Sequence, residues 1–227
     1  MDGKLYQCTG RRNIGLSVAG DEVVFQKTDN NEGVVIAIQP RVNQLKRQKK
    51  LIAANLQVLI FNQRSIQDIL EVIVDIGSLV EKRDEAKALV SSYIQKIEKV
   101  SDRVSSRLYR PKVYFEEWDT PQISAIRWVS ELIEAAGGDD VFPELAQCPD
   151  GKSRIIADPQ EVVRRRPDII IGSWCGKKFR SEKVAARPGW SVTPAVQQGA
   201  LYEIKSAEIL QPGPAALSDG LSRLCTI

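Results

Sequence analysis

From Glu81 to Arg110 the chain runs thirty residues without a glycine or a proline. Along this stretch Ala86, Leu89, Val90, Tyr93, Ile97, Val100 and Val104 recur every three or four positions, with charges between them. That period belongs to an amphipathic helix carrying one apolar stripe. A helix of about 25 residues would be roughly 37 Å long at 1.5 Å per residue, which is long for a small domain. On pattern alone it serves equally as a rigid strut between two lobes or as a packing helix within one.

Beyond Pro111 apolar strands alternate with helices. Val113-Tyr-Phe-Glu-Glu-Trp118 reads as a strand, with a loop at Asp119–Gln122. Ala125, Trp128, Val129, Leu132, Ile133 and Ala136 line one face of a helix that stops at Gly137-Gly138. Asp158 is placed to cap a short helix opened by Pro159. The strand Asp168–Gly172, a helix near Ser181–Ala186, the strand Leu201–Lys205 and a terminal helix bearing Leu217, Leu221 and Leu224 complete the order. Such alternation implies a parallel, doubly wound α/β sheet over 112–227.

The part before the long helix is smaller. Val23–Phe25 and Val34–Ile38 read as strands about the turn-rich Thr28–Gly33. Residues 1–20 lack periodicity. A basic helix is expected over about 41–54, its lysines forming a solvated face or a docking or phosphate patch. A short strand is expected at Gln57–Phe61. Ser65 followed by Asp68 resembles a capping box, and the Ile66–Ile76 stripe behind it predicts a mostly buried helix. The fold expected is therefore α/β, with two doubly wound lobes joined by a long helix and a small or incomplete first lobe. Its divisions are an N-terminal lobe over 1–80, an interlobe helix over 81–110 and a C-terminal lobe over 111–227.

Composition narrows the function. The 32 basic and 29 acidic residues leave a net charge of +3, too small an excess to argue for nucleic acid. There is no histidine, hence no imidazole base, metal ligand or triad partner. Cys8, Cys148, Cys175 and Cys225 form no CxxC pair, so no zinc or thioredoxin-type site is indicated. No stretch is apolar and long enough to span a membrane. The first twenty residues hold Arg11 and Arg12 and no apolar segment, so no secretory leader is expected.

Parallel strands present their carboxyl ends on one edge, where ligands bind in open α/β sheets. Here those ends read Glu116–Pro121, Ser173–Phe179 and Lys205–Gly213. They bring Trp118, Trp174 and Phe179 beside Lys177, Lys178, Glu208 and Gln211. This is the mixture of flat apolar surface and a few polar groups that ligand sites favour. Cys175, between Trp174 and two lysines, is the one plausible reactive thiol, so an intracellular enzyme with Cys175 as nucleophile is the rival. Trp128 and Trp190 read as packing. Glu116 and Glu117 are adjacent on a strand and point to opposite faces, so they are no acid–base couple.

From Asn62 onward, over roughly 165 residues, several strings taken together resemble the cobalamin-binding type of ABC-transporter substrate-binding protein, in the class that also takes iron–siderophores and haem. They are Val113-Tyr-Phe-Glu-Glu-Trp-Asp119, Ile126-Arg-Trp-Val-Ser-Glu-Leu-Ile133, Ala136-Gly-Gly-Asp-Asp-Val-Phe142, Arg166-Pro-Asp-Ile-Ile-Ile-Gly-Ser-Trp-Cys-Gly-Lys-Lys-Phe179, Ala186-Arg-Pro-Gly-Trp190 and Ile209-Leu-Gln-Pro-Gly-Pro-Ala-Ala216. The resemblance implies two lobes bridged by a helix with the ligand between them. It implies a non-enzymatic, monomeric receptor that hands a corrinoid, or alternatively an iron–siderophore or haem, to an ABC permease. The macrocycle would be cargo, with no cofactor and no metal site. The resemblance assigns Trp118, Trp174, Cys175, Lys177, Phe179 and Glu208 to the second-lobe wall, and docking on the permease near Gln160 and Glu161. It places the protein in the periplasm, whereas the missing leader leaves the cytoplasm open. The first sixty residues match this class poorly.

Overall fold

The computed structural model describes residues 7–10, 23–28, 32–38 and 60–227. The chain divides into two compact units, Met1–Ile60 and Phe61–Ile227. The first contains a three-stranded sheet of β1 (Gln7–Gly10), β2 (Val23–Lys27) and β3 (Glu32–Ile38). β3 is central, parallel to β1 and antiparallel to β2. Both strands expected here are present. β1 was not expected, because its four residues carry no alternation of their own and are extended by pairing with β3. The basic helix expected over 41–54 lies outside the described residues. So does most of the strand expected at 57–61, whose last residues, Ile60 and Phe61, carry no strand pairing.

The second unit opens with α1 (Ile66–Leu79). The Ser65 side chain accepts the Asp68 N–H at 3.1 Å, and Asp68 Oδ2 accepts those of Ser65 and Arg64 at 3.0 and 2.8 Å. This capping box satisfies backbone donors that no earlier turn can reach. α1 is less buried than its stripe suggests. Ile69 and Leu70 enter the core and Gly77 meets α2 (Arg83–Ser105), while Ile76, Leu79 and Val80 are exposed. The contact is close: a Cβ on Gly77 would stand 2.3 Å from Ala86 Cβ. α2 matches the glycine-free stretch. Val90, Tyr93, Ile97 and Val100 pack on the core of this unit, and only Ala86 and Val104 are fully buried.

The sheet is built around β4 (Lys112–Asp119). β6 (Asp139–Asp140) and β7 (Ile169–Gly172) pair with it in parallel, and β8 (Leu201–Glu203) pairs in parallel with β7. The segment expected as a loop turns instead at Thr120-Pro121 into β5 (Gln122–Ser124), antiparallel to β4. Period-two alternation sorts the side chains. Val113, Phe115 and Ile171 face one core with α1, α2, α3 (Arg127–Ala135) and the C-terminal segment. That segment is a π-helical turn, Ala216–Gly220, running into the helix Leu221–Thr226. Tyr114 and Ile170 face a second core with Phe142, Val162, Trp174, Phe179, Val184 and Trp190. Helices therefore cover both faces, as doubly wound α/β topology requires.

Candidate functional site

Glu116 organises the carboxyl end of the sheet. It sits mid-strand on an inward-facing position and is fully buried. A charge there persists only when its oxygens are saturated, and four donors reach it. Arg187 gives Nη1 to Oε2 at 2.6 Å and Nη2 to Oε1 at 2.8 Å. Tyr114 Oη donates to Oε2 at 2.9 Å and Trp174 Nε1 to Oε1 at 3.1 Å. Burial, with the adjacent Glu116 carboxylate, pushes the Tyr114 hydroxyl well above the usual phenol range, so it stays a donor. Arg187 also lies over the Trp190 ring, 4.6 Å from its centroid. The hub thus fastens β4, the loop after β7 and the Arg187–Trp190 turn together.

The loop 173–179 folds back over its own strand. The Phe179 ring packs edge-on against Trp174 at 5.0 Å and lies where a side chain on Gly172 would be, 1.9 Å from a Cβ built there. Phe179 N–H donates to Glu203 Oε1 at 3.2 Å, and Lys205 pairs with the same carboxylate at 2.6 Å. That Lys205 contact holds the Glu203 carboxyl below its usual range.

The residues expected to form a ligand wall separate into three groups. Trp174 and Phe179 are buried, with 5% and 6% of their surface exposed, and belong to the second core. Trp118 and Lys177 are brought together at the edge. Trp118 is half-buried and donates its indole N–H to Thr120 O at 3.0 Å. Lys177 Nζ is 5.6 Å from the Trp118 ring and 5.0 Å from the Trp174 ring, and pairs with Asp119. Cys175 and Lys178 are exposed on the same loop. Glu208 instead pairs with Arg223 at 3.0 Å, and Gln211 is exposed farther along. Of the two expected docking residues, Gln160 donates to Pro188 O at 2.8 Å, and Glu161 pairs with both Arg164 and Arg165.

Sequence reasoning missed Arg187, Arg154 and Asp119. Arg154 is buried and spans Glu117 Oε2 at 2.7 Å and Ser124 O at 2.5 Å. The available signal was the pair of carboxylates in the apolar run Val113–Trp118, each of which needs a cation. The identity of the cations was not legible. Asp119 Oδ1, Gln122 Oε1 and Ser173 Oγ are buried at these strand ends without hydrogen-bond partners among the described residues. No group of three or more His, Cys, Asp or Glu side chains converges as a metal site among the described residues.

Residues 34–208, more than half of the chain, match the family described as periplasmic binding protein. The chain belongs to that family. This periplasmic binding protein shares its fold with a possible iron-binding (periplasmic solute-binding) protein from Staphylococcus epidermidis. The TM-score is 0.65 and the identity 21%, over 78% of this chain and 68% of that one. S. aureus IsdE complexed with heme gives 0.64 and 16%, over 79% and 70%. The periplasmic vitamin B12 binding protein BtuF of Vibrio cholerae gives 0.57 and 17%, over 78% and 67%. At these identities the likeness is one of fold. A different, short match is to the small ribosomal subunit biogenesis GTPase RsgA of Hahella chejuensis, 44% identical over 64 residues. It covers 26% of this periplasmic binding protein and only 18% of that relative's length. No described helix is long and apolar enough to cross a membrane.

Proposed function

We propose that this chain is the receptor of an ABC importer and binds a corrinoid against the edge formed by the ends of β4 and β7. The observation that carries the reading is the Trp118–Lys177–Trp174 stack. One half-buried indole and one ammonium stand at the ligand edge of a parallel sheet, backed by a rigid hub. Trp118 supplies flat apolar surface, and burying a broad ligand face yields about 25 cal/mol per Å² before ordering costs. Lys177 supplies a cation for the polar periphery of a macrocycle. Trp174 and Phe179 act from beneath, holding the loop in place, while Cys175, Glu208 and Gln211 lie on the surrounding surface.

Likeness to receptors named for iron, haem and vitamin B12 supports a large metal-bearing ligand. Within that set a corrinoid is favoured because it can bring its own axial ligand. An imidazole is the commonest protein ligand to haem iron, and the sequence contains no histidine. Delivery to a permease in the periplasm is part of the same proposal and is supported by the family, with the surface around Gln160 and Glu161 as the proposed contact. In the same reading the first unit is the small first lobe.

The test is to incubate the protein separately with cyanocobalamin, haemin and a ferric hydroxamate, remove free ligand by gel filtration, and record the visible spectrum. The expected result is a corrinoid spectrum in the protein peak that is reduced by Trp118→Ala. A protein peak carrying only haem or only the ferric hydroxamate overturns the corrinoid assignment, and a peak carrying none overturns the receptor reading.

A further inference from the structure

A cavity of about 260 Å³ lies on the other face of the sheet, toward the opposite ends of the strands. Its walls include Val104, Val113, Ile133, Ile171 and Leu224. Exposed Arg103, Arg107 and Cys225 also line it and stand at its mouth. Arg103 stands in the last turn of α2 and Arg107 just beyond its end, and both line the cavity. Neither makes an ion pair or side-chain hydrogen bond among the described residues, whereas Arg110, three residues later, is committed to Asp139 at 2.6 Å. No Asp or Glu side chain among the described residues lines the cavity, and Ile227, the last residue of the sequence, lines it without an ion pair to either arginine. An apolar interior beneath two cations is complementary to an anion with a hydrocarbon tail.

Size limits the tail. An apolar protein cavity of about 150 Å³ takes benzene, so one near 260 Å³ holds roughly ten non-hydrogen atoms. We infer that this cavity binds a medium-chain fatty carboxylate, with the tail among Val113, Ile133 and Ile171 and the carboxylate between Arg103 and Arg107. The site is distinct from the Trp118 edge, since it uses the opposite face and the opposite ends of β4 and β7, together with α2, α3 and the C-terminal helix.

Cys225 provides a built-in reporter. Octanoate is the probe, octylammonium the control of opposite charge, and the readout is alkylation of individual cysteines in the full chain, followed by peptide mass spectrometry. Octanoate is expected to slow Cys225 alkylation several-fold while leaving exposed Cys175 unchanged, and octylammonium is expected to protect neither. Because Arg103 and Arg107 are exposed, the double variant Arg103→Gln/Arg107→Gln leaves the core intact. It is expected to weaken octanoate binding several-fold by calorimetry, the range that exposed ion pairs support. Cys225→Trp, which plugs the mouth, is expected to abolish the calorimetric signal. Unchanged Cys225 alkylation at millimolar octanoate overturns the proposal, as does equal protection by octylammonium or undiminished octanoate binding in the double arginine variant.

Discussion

Arg187 closes on Glu116 through two parallel hydrogen bonds, 2.6 and 2.8 Å long, although the residues are 71 positions apart. Truncating one member of such a buried pair leaves the other charge without compensation, a loss of about 3–5 kcal/mol. Arg187→Ala is therefore expected to lower the urea midpoint by that equivalent. Tyr114 and Trp174 would be left bonded to an unneutralised carboxylate. The apolar double variant Glu116→Leu/Arg187→Met is expected to recover a large part of the loss, since replacing both ions removes the desolvation penalty. A double variant as unstable as the single one would show that the pair's geometry, rather than its charge balance, carries the stability.

The two tryptophans at the strand ends have different duties. Trp174 is buried against Phe179 and hydrogen-bonded to Glu116. Trp174→Ala should remove about 3–5 kcal/mol of stability, as large-to-small core changes do. Trp118 is half-buried and satisfied by a backbone carbonyl in its own turn. Trp118→Ala should leave most of the stability intact and, under the proposed function, lower corrinoid affinity. Denaturant unfolding and titration calorimetry on both variants separate the roles. Equal destabilisation by the two substitutions contradicts the division.

Asp140 gives the fold a pH dependence. Its carboxyl is buried beside the sheet, and that burial raises its pKa above the ordinary aspartate range. Oδ1 accepts the Phe142 N–H at 3.0 Å, while Oδ2 has no partner among the described residues. A carboxyl whose folded pKa lies above its unfolded one binds protons more tightly when folded. Its contribution is therefore greatest below the unfolded value and is lost as pH rises through the folded value. Asp140→Asn keeps the acceptor for Phe142 and removes the buried charge. The variant should be more stable than the parent at neutral pH and should lose the decline across that window. Thermal unfolding between mildly acidic and neutral pH checks this, and a parent curve without that decline would contradict it.

Much of the second unit was legible because its signals are local. The Ser65–Asp68 capping box, the stripe of α2, the Trp128 helix and the apolar run of β7 each follow from spacing over a few residues. Period-two alternation likewise separates Val113 and Phe115 from Tyr114 and Glu116. What escaped depends on long-range pairing. β5 is extended by β4, β6 by two residues at the start of β4, and Arg187 and Arg154 earn their places through carboxylates far off in sequence. The meeting of Trp118 and Lys177 at the strand ends was legible, but the inward turn of Trp174 and Phe179 was not. A strand-end aromatic looks the same in sequence whether it faces solvent or its own sheet. The open space above Gly172 decides the matter, and only the folded loop reveals it.

That space leads to a discriminating glycine prediction. At Gly172 a Cβ would sit 1.9 Å from Phe179 Cδ2 and 2.2 Å from Cε2, so alanine forces the ring outward. Overpacking of this kind costs about 1–3 kcal/mol, more than the 0.4–1 kcal/mol that a Gly→Ala change returns by restricting the unfolded chain. At Gly213 nothing lies within 4 Å of the added carbon, so only the second effect operates. Gly172→Ala should therefore lower the unfolding midpoint, and Gly213→Ala should leave it unchanged or raise it. The first variant should also disturb the Trp118–Lys177 edge, because Phe179 and Trp174 form one edge-on pair and Lys177 rests over the Trp174 ring. Near-ultraviolet circular dichroism of the tryptophans should change in Gly172→Ala and not in Gly213→Ala. Identical spectra and midpoints for the two variants would mean that the loop does not close over Gly172 in solution.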